Sequence, residues 1–220
     1  MPLNDVDSAF SPADLAAVEA AVHEVEARSP GEVVPYAVNR SDGYAEGAWT
    51  GATFGALAGG LIAALLHIGL GRPEATALWV AGLPAGGAAI GYALAVAWPR
   101  LRLRLVAAHT VEHRVHQRAV AAFVEQEVFH TRARTGILIF LSLLERRVVV
   151  LADSGINARV DQEEWDAVVA EIVGGMRRGE PGAALASAIR RCGNLLAAHG
   201  FARAPDDRDE LSDELRRRPE

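Results

Sequence analysis

The chain has 220 residues, half of them apolar, with a net charge of −6 and one cysteine. The negative balance excludes the basic footprint of a general nucleic-acid binder. The lone Cys192 excludes an internal disulfide and a thiolate zinc centre, and it reads as a small buried apolar side chain within a helix. All 22 cations are Arg, which together with abundant Ala and Gly suggests a GC-rich bacterial genome.

The first residues, Met1 to Asp7, are acidic and lack an apolar core, so they are not read as a secretory signal. Ser11-Pro12-Ala13-Asp14 predicts a helix start: Ser11 as N-cap, Pro12 in the first turn, Asp14 at the positive helix end. Leu15, Val18, Val22 and Val25 then recur at helical spacing. Ser29-Pro30-Gly31 stops that helix. Glu32 to Val38 reads as a strand, and Pro35, which has no N–H, suggests an edge position or a bulge.

Two apolar runs follow, Ala48 to Leu70 and Thr76 to Trp98, with no Asp, Glu, Lys or Arg in either. A bilayer crossing takes about 20 apolar residues. The five residues between them, Gly71 to Ala75, suit the tip of a helical hairpin. Trp49 and Trp98 belong at one interface and Trp79 near the other. Arg100, Arg102 and Arg104 follow the second run directly, which by the positive-inside rule puts both termini in the cytoplasm, on the inner membrane. The same arginines could bind anionic lipid head groups. Gly51, Gly55 and Gly59, Gly82 and Gly86, and Gly87 and Gly91 recur every four positions. Such spacing allows close helix approach, here expected mainly between the two spans, with packing between copies of the chain as the alternative.

From Leu101 to Arg134 no helix breaker occurs, which predicts one long helix. Arg100, Arg104, Arg114, Arg118 and Arg132 share one face of it, and Val106, Val120, Phe123 and Val124 the other. His109, His113 and His116 fall on one side of it. Packing against another helix is the favoured expectation for them, and a metal pair or a pH-sensitive contact the weaker one. Ile137 to Leu144 is a continuous apolar strand, turned at Glu145-Arg146-Arg147 into a second strand, Val148 to Ala152. Helices follow over 161–178 and 183–199, and the charged residues 203–220 read as a mobile tail. The fold class is α/β, a small mixed sheet sandwiched by helices. Residues 11–43 and 105–202 are expected to form one discontinuous domain. Residues 47–99 form the inserted transmembrane hairpin, with spans of about 48–70 and 76–98.

Thr131-Arg132-Ala133-Arg134-Thr135-Gly136-Ile137-Leu138-Ile139, then Leu144-Glu145-Arg146, then Val150-Leu151-Ala152-Asp153-Ser154-Gly155-Ile156-Asn157 and Trp165, resemble the TPM domain family. Ala119, Phe123 and the stretch Glu26 to Glu32 fit the same resemblance. That family is named for a thylakoid lumen protein, a photosystem II repair protein and a nematode modulator of acetylcholine receptors. The similarity is to its bacterial membrane-protein subgroup. It implies an α/β/α sandwich, and calcium binding and acid phosphatase activity have been proposed for some members.

Asp153 is the leading candidate residue. It stands where a buried strand meets a Gly-containing loop, the place where open α/β sheets bind ligands. It could ligate Ca²⁺ or Mg²⁺, with Glu32 and Glu145 as further carboxylates and oxygens from the Ser154, Gly155 and Asn157 loop. Capping of the loop amides is the structural alternative, about equally weighted. No second Asp stands two positions on, so the aspartyl-phosphate signature is missing. The sequence therefore leads to a membrane-anchored module that binds a divalent cation, a membrane-protein partner or both, possible roles being assembly or repair. A metal-dependent phosphatase and a homo-oligomeric membrane assembly are the alternatives.

Overall fold

The computed structural model describes residues 5–70, 76–201 and 211–218. It has a mixed four-stranded sheet in the order β3-β2-β1-β4. The chain divides into two compact units: residues 1–42 with 112–220, and residues 43–111.

In the first unit, Asp5 caps a short helix α1 (Val6–Ala9), and Ser11 starts α2 (Pro12–Glu26) through a capping box with Asp14. Val6 and Phe10 are buried, so the ordered domain begins earlier than the expected residue 11. β1 (Glu32–Val38) is parallel to β2 (Gly136–Ser142), with Glu32 opposite Gly136 and Val38 opposite Ser142. β2 turns into antiparallel β3 (Arg147–Ala152), the hairpin that the sequence predicts. β1 is not an edge strand. The tail expected to be mobile supplies β4 (Arg216–Arg218), parallel to β1 along Tyr36 to Val38. Pro35 lies just outside that ladder, which resolves the problem of its missing N–H without a bulge.

Alternation along the strands sorts the side chains to two faces. Val33, Ala37, Ile137, Ile139, Leu141 and Val148 join the core under α2, α8 (Gln162–Arg178) and α9 (Pro181–Ala198). Complete burial of Ile139 alone contributes about 2–3 kcal/mol. Tyr36 and Phe140 point to the opposite face and stack at 5.9 Å between centroids. There Arg118, on the helix α6 (Ala108–Glu125), donates to Tyr36 Oη at 3.0 Å and lies 5.6 Å from the Tyr36 ring centroid. Helices thus cover both faces of the sheet, as expected for an α/β sandwich.

The second unit contains α3 (Ala45–Leu70), α4 (Thr76–Ala97) and the short α5 (Pro99–Arg104). α3 and α4 are long and apolar enough to cross a membrane. The expected hairpin tip, Gly71 to Ala75, lies outside the described residues. The glycine seam is explicit. A Cβ on Gly51 would lie 2.8 Å from the Gly91 carbonyl oxygen. Cβ atoms on Gly55, Gly59, Gly87 and Gly91 would collide with the backbone carbonyls of Gly87, Leu83, Gly55 and Gly51 respectively. These five glycines therefore hold α3 against α4. Gly82 and Gly86 face open space instead.

The single long helix expected over 101–134 is two helices. Trp98, in an extended conformation, breaks α4 from α5, and the chain leaves helical geometry at Leu105 to Ala107. No Gly or Pro marks the second break, and nothing local in the structure explains it. α6 ends at Glu125, and Glu127 adopts φ 53°, a left-handed residue that closes the helix. The expected face assignment also fails within α6 itself. The inward stripe is Val115, Arg118, Ala119 and Ala122, whereas Val120 and Val124 are 44 % and 57 % exposed. The large valines suggest a core that the alanines supply.

Candidate functional site

Asp153 closes the β3 end of the sheet. Its N–H donates to the Gly136 carbonyl at 2.9 Å, one step beyond the Ile137–Ala152 pair. Its own carbonyl accepts from Ile156 and Asn157, both at 3.0 Å, which starts the short turn α7 (Ser154–Asn157). Oδ1 accepts the Ser154 N–H at 2.6 Å. The capping role considered for this Asp is therefore real. Oδ2 is different: it is fully enclosed and accepts no well-aligned hydrogen bond. It sits 3.0 Å from Arg134 Nε, an ion pair in distance but not in hydrogen-bond direction.

The opposing loop is built to approach this corner closely. Arg134 takes φ 56°, and its carbonyl accepts the Gly155 N–H at 3.1 Å. A Cβ on Gly155 would lie 2.6 Å from the carbonyl oxygens of both Ala133 and Arg134, so only glycine fits. Thr135 is tied back by Thr131 Oγ1 at 2.9 Å, and its own hydroxyl donates to the Pro30 carbonyl at 2.5 Å. The Arg134 guanidinium donates to the Phe129 carbonyl at 3.2 Å and lies 5.9 Å from the Phe129 ring centroid. About half of its side chain remains exposed. Asn157 donates to the Ala152 carbonyl at 2.6 Å, so its amide braces the loop. Ser154 and Asn157 are exposed and Gly155 is half-buried.

The three carboxylates expected to share a metal do not converge. Glu145 lies at the far end of β2, about 20 Å along the strand from Gly136 at some 3.3 Å per residue. There it accepts from the Ser41 N–H at 2.9 Å and from the Ser142 hydroxyl at 2.5 Å, pinning the hairpin turn to the loop after β1. Glu32 begins β1, on the other side of Gly136 from Asp153, and belongs to a different acidic group. Among the described residues, no three His, Cys, Asp or Glu side chains are placed to hold a metal ion. His109, His113 and His116 are all exposed, so the helix packing expected for them is absent from this face of α6.

The acidic group around Glu32 includes Glu26 and Asp213. Glu26 ends α2, is 6 % exposed, and accepts the Val33 N–H at 3.3 Å. Burial pushes its pKa up to about 9; the charges of Glu32 and Asp213 push the same way, the Val33 N–H opposes them, and a hydrogen bond to Asp213 adds to the rise. Asp213 also lies 3.7 Å from His23 Nδ1. The sequence signal was present: Glu26 stands four residues after Val22, on the core stripe of α2. Arg134 and Asp213 gave no such signal, since their roles depend on pairings distant in sequence.

No family model and no curated protein matches the chain. Among solved structures, the NMR structure of the BA42 protein from the psychrophilic bacterium Bizionia argentinensis is similar, with a TM-score of 0.57, 17 % identity, and 94 % of each chain covered. At that identity the likeness is one of fold alone.

Proposed function

We propose that this chain is an integral membrane module of the TPM type whose strand-end corner at Asp153 binds a divalent cation and, through it, a membrane-protein partner. In this reading α3 and α4 form the membrane anchor, and Arg100, Arg102 and Arg104 hold the α/β domain on the cytoplasmic side. The observation that carries the reading is Asp153 Oδ2, a buried carboxylate oxygen without an aligned hydrogen bond. It stands beside a loop where the carbonyls of Ala133 and Arg134 crowd Gly155. Hard oxygens of this kind suit Ca²⁺ or Mg²⁺. With one carboxylate and neutral carbonyls, the affinity expected is weak, on the order of 10⁻⁴–10⁻³ M. Arg134 holds the same oxygen, so a cation must displace it.

Calorimetric titration of Ca²⁺ and Mg²⁺ into the detergent-solubilised full chain tests this. Binding should vanish in Asp153→Asn and tighten in Arg134→Gln. Equal heats in all three proteins, or none in any, would sink the cation reading. A phosphatase finds less support, because Oδ1 is engaged by Ser154 and, among the described residues, no group of three or more His, Cys, Asp or Glu side chains is placed to hold a metal ion. The outward-facing Gly82 and Gly86 favour a second reading, in which copies of α4 associate. Native mass measurement in detergent distinguishes it, since a monomer there excludes it.

A further inference from the structure

Helix α6 carries two unlike faces. At 100° per residue, Val115, Arg118, Ala119 and Ala122 point inward. His109, His113, His116, Val120 and Val124 fall within roughly 80° on the opposite side, and all five are exposed. No acidic residue shares that arc, since Glu112 and Glu125 lie outside it. Two bare valines on a helix whose inner face is already covered call for a neighbour.

Two chain constraints say which neighbour. Arg114 pairs with Asp42 at 3.5 Å, and α3 begins at Ala45, three residues later. α6 itself begins eleven positions after α4 ends at Ala97. If α3 and α4 cross a bilayer, both chain passages into it are tied to the first half of α6. From Trp98 to Val111 the chain carries Arg100, Arg102, Arg104 and His109 and no acid. Each Arg beside a membrane surface favours anionic head groups about fivefold.

We infer that the outer face of α6 rests on an anionic lipid surface, with Val120 and Val124 at the boundary of head groups and acyl chains and the three imidazoles among the head groups. The inference rests on the membrane-hairpin reading of α3 and α4. A helix of this type buries its apolar face by about 5–10 Å.

The test uses the full chain in lipid nanodiscs. Val120→Cys and Val124→Cys carry an environment-sensitive dye, with Ala121→Cys as an exposed reference off the arc. Cys192 is fully buried and stays unlabelled. The expected result is blue-shifted emission at both sites, quenched by lipid-borne quenchers more strongly than at Ala121→Cys, as burial to this depth requires. It should occur in discs containing phosphatidylglycerol and fade in pure phosphatidylcholine. Equal, water-like emission at all three sites overturns the inference. Equal quenching in both lipids overturns the anionic surface. Shielding that grows with the number of protein copies per disc assigns the face to a second copy and overturns it too. A chain that stays soluble without detergent and does not enter discs overturns the hairpin reading itself, so the two failures are distinct.

Discussion

Replacing Glu26 by Gln should stabilise the protein at neutral pH and leave it nearly unchanged in acid. The folded chain holds the Glu26 proton up to about pH 9, whereas an unfolded chain releases it near 4.5. Between those values the native state binds more protons than the unfolded state, so stability falls as pH rises. The contribution is whole below about 4.5 and is lost as pH rises through about 9. Each pH unit in that window costs 1.36 kcal/mol, so pH 7, about 2.5 units above the start, has lost about 3 kcal/mol. Glu26 is 6 % exposed, so solvent screening removes little of this. Gln mimics the neutral acid and can still donate to Asp213. Thermal melting of the full chain in detergent, run from pH 5 to pH 8 for both proteins, is the assay. The gap should open with pH and reach about 6–12 °C at pH 7, at 2–4 °C per kcal/mol for a chain of this size. A gap that stays constant with pH, or a Gln variant less stable at pH 8, would refute the buried neutral acid.

The glycine seam gives a contrast on one helix: Gly87→Leu should cost about 1–3 kcal/mol in melting, because its Cβ meets the Gly55 carbonyl, while Gly82→Leu should cost little. Equal losses would mean that α3 and α4 are not joined along this seam. Gly155→Ala should loosen the Asp153 corner, read as faster amide exchange at Gly155 and Asp153, whose partners are the Arg134 and Gly136 carbonyls. Unchanged exchange there would argue against the close approach. Leu215→Ala removes the buried anchor beside β4, and should raise exchange along Tyr36 to Val38 while leaving the β2–β3 ladder protected.

Much of the architecture was legible because it rests on local rules. The Ser11 cap, the apolar run of β2, the tight turn into β3 and the two long apolar helices each follow from short-range pattern, and each is present. What escaped depends on distant partners. β4 consists of three arginines, which carry no strand signal; it exists because β1 offers an open edge and Leu215 a buried anchor. The α6 stripe was misread because alanine weighs little in a hydrophobic pattern, while Arg118 spends its charge on Tyr36 inside the sandwich. The candidate site was half legible. Asp153 and Gly155 could be placed from the strand–loop junction, but Glu145 was grouped with them only because sequence nearness hides the length of a strand.

The insertion point of α3 and α4 has a consequence for biogenesis. β1 leaves the ribosome first, and its parallel neighbour β2 follows only after about 100 further residues that include both apolar helices. If α3 and α4 cross a bilayer, as proposed above, the central ladder can close only when its two halves are on the same side of it. With both helices threaded they are; with one threaded and one left behind, β1 and β2 are separated by lipid and the sheet has no middle. In that reading, pairing of β1 with β2 reports that both apolar helices have been threaded.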